Sequence, residues 1–161
     1  MHTFNDTQGR TWTVTINVDA IRRVRGLLDI NLLDAVEGKL LERLVSDPVL
    51  LCDILFALVK PEAEAKQVSD EDFGRALGGD VLDQATTALL EELVDFLPSG
   101  KRTVFRKALD KLKALEGMAL ETATRRLEST ELEQKMAAAL AAIPGASTPG
   151  DSSGSSPASS A

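Results

Sequence analysis

The sequence predicts a mainly α chain with a short N-terminal β-hairpin, an α+β arrangement of a compact helical domain, a protruding C-terminal helix and a disordered tail. Three observations carry this expectation. Strict alternation of apolar and polar residues is confined to Thr11 through Val18, helical spacing of apolar residues follows as far as Ile143, and the end of the chain is almost entirely Ser, Gly, Pro and Ala. With 161 residues and 43% hydrophobic content the chain supports one real core with some excess. The expected division is 1–115 for hairpin and helical core, 116–143 for a helical extension and 144–161 for the tail.

The hairpin pairs a short extended stretch, His2 to Asn5, with Thr11 to Val18 across the turn residues Asp6-Thr7-Gln8-Gly9. Trp12, Val14, Ile16 and Val18 share one face and the threonines the other, so one side packs on a core. From Asp19, a candidate N-cap, the period becomes helical, with Ile21, Val24, Leu27 and Leu28 on one stripe. Leu32 to Val45 reads as a short helical segment bent near Gly38, and Ser46-Asp47-Pro48 as a helix start. Pro48 to Val59 is apolar nearly all round, with Asp53 its only charge, and is expected to be the central buried helix.

Lys60-Pro61 is expected to break that helix. Ser69 then caps a short helix with Asp70, Glu71 and Asp72 in its first turn, and Gly78-Gly79 ends it. Asp80 is expected to cap the helix Val81 to Leu97. That helix carries Leu82, Ala85, Leu89, Leu93 and Phe96 on one stripe, with Val81, Leu90, Val94 and Leu97 beside it, more apolar width than one neighbour covers. After Pro98-Ser99-Gly100 a long pattern begins near Lys101, with Val104, Phe105, Ala108, Leu109, Leu112 and Leu115 on its stripe. Gly117 is expected to interrupt it before a weaker pattern through Leu120, Leu127, Met136, Leu140 and Ile143.

Little in this sequence offers chemistry. The one histidine, His2, is next to the first residue, where fraying is the rule, and there is no tyrosine, nucleophile elbow or phosphate-cradling glycine loop. The single cysteine, Cys52, forms no intramolecular disulfide and is expected to be a buried structural thiol. Asp70-Glu71-Asp72 and the set Glu91, Glu92 and Asp95 lack the spacing of a calcium loop, and a helix start and a solvated helix face account for them. No catalytic residue, cofactor or metal is expected. Nor is a leader or a membrane span, since no run approaches about 20 apolar residues.

A net charge of −7 opposes nucleic acid as a partner. Its distribution says more. Pro61 to Leu97 holds ten acids and two bases, whereas Pro98 to Lys113 holds six bases and one acid. Either these neutralise one another within the fold, or they guide a partner or a second copy of the chain. The partner-binding surface expected from these patterns is Leu90, Val94, Leu97 and the adjoining Phe105, flanked by Arg102 and Arg106; the alternative is that the apolar four are core.

Gly9-Arg10-Thr11-Trp12, Ile21-Arg22-Arg23-Val24-Arg25 and Asp47-Pro48-Val49-Leu50 together resemble the tail assembly chaperones of long-tailed, siphovirus-like bacteriophages and prophages. A second block is similar to that group too: Ser69-Asp70-Glu71-Asp72-Phe73, Gly79-Asp80, and Asp95-Phe96-Leu97-Pro98. The resemblance covers roughly residues 3 to 115. It implies a non-enzymatic protein that binds the tape measure protein during tail morphogenesis, works in the host cytoplasm and is absent from the mature virion. It also implies a longer frameshifted product, for which the tail from Pro144 would serve as a linker. The competing expectation is a structural head-tail connector or tail completion protein.

Overall fold

The computed structural model describes residues 1–143, apart from the side chains of Thr130 and Leu132; the expected tail lies outside the described residues. Those residues are mainly α with a two-stranded antiparallel hairpin at the N-terminus. They fall into two compact units, Met1–Lys111 and a second that starts at Leu112.

In the first unit, β1 (His2–Asn5) and β2 (Thr11–Val14) pair so that Phe4 lies opposite Trp12. The strand ends sooner than its alternation suggests: Ile16 is still buried, but Val18 is exposed and opens α1 (Val18–Leu28). The cap is Asn17, not Asp19. Asn17 is extended and its side chain accepts the Ala20 N–H at 2.8 Å, whereas Asp19 sits in the first turn and pairs with Arg23 at 2.9 Å. A 3-10 segment (Leu32–Glu37) and α2 (Lys39–Ser46) follow, separated at Gly38, whose φ of 90° only glycine adopts freely.

Asp47 caps α3 (Pro48–Ala65), accepting from the Val49 and Leu50 N–H groups. The expected break at Pro61 does not occur, and the helix runs through it. A proline at 61 cannot donate to the carbonyl of Ala57, four residues back. Arg23 supplies the missing donor from α1, its Nη1 reaching the Ala57 oxygen at 3.3 Å and the Leu58 oxygen at 3.1 Å. As expected, α3 is the central helix, against which α1, α2, β2 and α5 (Asp80–Phe96) all pack.

Between them, α4 (Asp70–Arg75) is capped by Ser69 and buries Phe73. That ring meets Trp12 edge-on at 5.1 Å and also touches Phe4 and Phe56, fastening the hairpin to the helices. Gly79, with φ 55°, precedes α5, so Asp80 is the first helical residue rather than the cap. Two further helices complete the described chain, α6 (Ser99–Glu128) and α7 (Thr130–Ala141). Gly117 does not interrupt α6, since a lone glycine costs a helix only about 1 kcal/mol.

The second unit consists of α6 from Leu112 and of α7. Its described side chains between 113 and 128 are all exposed. Local support comes from spaced ion pairs, Arg125 with Glu121 at 2.7 Å and Lys135 with Glu131 at 3.2 Å.

Candidate functional site

The six residues expected to form a partner surface meet at the junction of α5 and α6, where Leu97-Pro98 turns the chain between them. The structure brings them together but turns the apolar four inward. Leu90, Val94, Leu97 and Phe105 are buried, as is Leu109, which matches the alternative that the apolar four are core. The reason lies in the width of α5: β1 covers one side of the helix and α3 another, which accounts for the excess apolar positions.

Arg102 and Arg106 are exposed but engaged. Arg102 Nη2 donates to the last carbonyls of α5, Asp95 O at 3.2 Å and Leu97 O at 3.1 Å, where the helix dipole favours a cation. Arg106 pairs with Glu91 across the two helices at 3.1 Å. These contacts fix the elbow. Among the described residues Arg106–Glu91 is the one ion pair between basic α6 and acidic α5, and Lys101, Lys107 and Lys111 make none.

Two carboxylates, Glu92 and Asp6, are buried. Glu92 is buried, although it was grouped with Glu91 and Asp95 as an exposed helix face. Its Oε1 accepts the Ile16 N–H at 3.1 Å and its Oε2 accepts His2 Nδ1 at 2.9 Å and the Met1 nitrogen at 2.7 Å. Burial alone would raise its pKa, but the bonds from the amino terminus, His2 and Ile16 outweigh burial and hold it below the ordinary value. His2 is therefore held in β1 rather than frayed.

Asp6 forms the second clasp. It is buried, and its carboxylate accepts Trp12 Nε1 at 2.9 Å, Arg10 Nε at 2.7 Å and the Gln8 and Arg10 N–H groups. Against the cost of burial, those four bonds depress its pKa. The sequence offered one signal for Glu92: it stands at helical spacing from Ala88, Leu89 and Phe96 on the apolar stripe. Asp6 gave none beyond its place in a turn.

His2, Glu92 and Asp95 could each offer one ligand atom within 4.8 Å of the others. As arranged, Glu92 hydrogen-bonds Nδ1 at 2.9 Å while Asp95 lies 3.7 Å from Nε2 on the other side of the ring, so the two carboxylates flank the imidazole at different nitrogens. Cys52 is half-buried rather than fully buried; burial pushes its thiol up, and the nearby Asp53 and Asp70 carboxylates push the same way, which keeps it a poor nucleophile.

Other large apolar side chains are uncovered, among them Val18, Val49 and Val104 in the first unit. In the second unit Leu115, Met118, Leu120 and Leu127 of α6 and Met136 and Leu140 of α7 are each more than half exposed. No described helix is long and apolar enough to cross a membrane. In comparisons with protein-family models, curated proteins and solved structures, nothing matches the chain.

Proposed function

We propose that this protein is a phage tail assembly chaperone that binds the tape measure protein through its C-terminal helices, without catalysing a reaction. The observation that supports this reading is the number of large apolar side chains left uncovered on α6 and α7. Chains that act alone seldom leave extended apolar surface to water, and a helical partner with its own apolar stripe would bury it. The identity of that partner rests on the resemblance of residues 3 to 115 to tail assembly chaperones. A client that is long, helical and prone to aggregate needs a covering of this kind until the tail tube forms around it.

The test is co-expression of the full chain with fragments of a phage tape measure protein. The fragment should remain in the supernatant and elute with the chaperone on size exclusion. A triple variant, Leu115→Ser, Met118→Ser and Leu127→Ser, should lose that effect while keeping the buried environment of Trp12, read by its fluorescence. If the fragment precipitates beside the wild-type chain, or the variant rescues it equally well, the reading fails.

A further inference from the structure

The first unit holds a cleft that the preceding argument does not use. Its volume is about 800 Å³, and it lies where the 3-10 segment faces the elbow between α5 and α6. Side chains three apart stack in a 3-10 helix, so Leu33 and Val36 form one row along the wall and Asp34 and Glu37 form another. Phe96 and Pro98 line the elbow side. Lys101 and Val104, one turn apart on α6, line the other wall, and Val104 is 62% exposed.

Two features separate this cleft from loose packing. Its shape is set in advance, because Arg102 ties the start of α6 to the α5 carbonyls and Arg106 ties it to Glu91. Its charges are also left unused: Glu37 and Lys101 both line it, yet neither side chain makes an ion pair with the other or with any described residue. Asp34 has only a long contact from Asn31, at 3.4 Å. The 3-10 wall thus carries two acids and the α6 wall one base, with apolar side chains lining the same cleft and one side open. An enclosed small molecule would leave that open side wet, whereas a helix lying along it presents side chains to both walls.

We propose that this cleft docks an amphipathic helix of a protein partner, whose apolar ridge packs on Leu33, Val36 and Val104 between a base facing Asp34 and Glu37 and an acid facing Lys101. The cleft lies wholly within the first unit, and the proposal does not require the partner to be a tape measure protein.

The experiment measures binding of three synthetic helical peptides to the full chain by fluorescence anisotropy, with chemical-shift mapping to locate the site. All three carry the same leucine ridge. One has Lys along one flank and Glu along the other, one has Lys on both flanks and one has Glu on both. The mixed peptide should bind tightest, by about fivefold over the double-Glu peptide, the scale of a few exposed ion pairs. Lys101→Glu should make the double-Lys peptide the tightest, and Val104→Arg, at an exposed position, should weaken all three. The proposal is overturned by any of four results: no binding, an unchanged order in Lys101→Glu, shifts that fall outside 33–37 and 96–104, or concentration-dependent shifts there without peptide, which would mean that a second copy fills the cleft.

Discussion

At the scale of single residues, one half-buried arginine and two buried carboxylates tie the first unit together, and each is testable. Arg23 carries the bond that Pro61 cannot make, so its value depends on the proline. Arg23→Ala should destabilise the protein by about 1 kcal/mol through the unpaired Ala57 carbonyl. In a Pro61→Ala background the restored N–H at 61 should serve that carbonyl, and Arg23→Ala should then cost much less. A double-mutant cycle on urea midpoints measures the difference, and equal costs in the two backgrounds would refute the pairing. Asp6 and Glu92 act through protons. Their folded pKa values are depressed, so their contribution is complete above the unfolded value of about 4 and is lost as pH falls through the folded values. The variant Asp6→Asn with Glu92→Gln should be less stable than wild type at pH 7, yet should lose less stability between pH 5 and pH 3. Parallel losses over that interval would place the acid sensitivity in other groups.

At the scale of elements, α6 offers a prediction that follows from its continuity through Gly117. A Cβ added there meets nothing within 4 Å, and the backbone is helical. Gly117→Ala should therefore strengthen the helix by about 0.5–1 kcal/mol, seen as greater ellipticity at 222 nm and slower amide exchange around residue 117. No gain would mean that the helix is already locally broken in solution. The two places where helical continuity was misjudged, Pro61 and Gly117, have different causes. Gly117 carries a weak penalty that neighbouring helix formers such as Ala119 and Leu120 outweigh. Pro61 carries a strong one, and its relief comes from Arg23, 38 positions earlier in the sequence, which no local pattern displays. The elements themselves were legible because their signals are local: Asp47-Pro48, Ser69 with its acidic turn, and the alternation that begins at Thr11, although it was read on to Val18 and the strand ends at Val14. The site was not. Whether Leu90 and Val94 face a partner or the core depends on β1 and α3 reaching α5, which is tertiary information.

At the scale of the whole molecule, the two units differ in what holds them folded, and that difference is measurable. The first owes its stability to burial, with Trp12, Phe73, Leu55, Leu89 and Phe105 all inaccessible to water. The second has little burial to draw on, since Leu115, Met118, Leu120 and Leu127 are open to solvent and its ion pairs lie one helical turn apart. Amide hydrogen exchange should therefore be slow across α3 and α5, at rates set by global unfolding, and much faster between 116 and 141. Adding a client helix that covers the second unit should slow exchange there while leaving α3 unchanged. Protection of that segment in the free protein, rising with protein concentration, would show instead that copies of the chain cover one another's apolar side chains. The exposed side chains would then form a contact between copies, and a helix added to the protein would have to displace it.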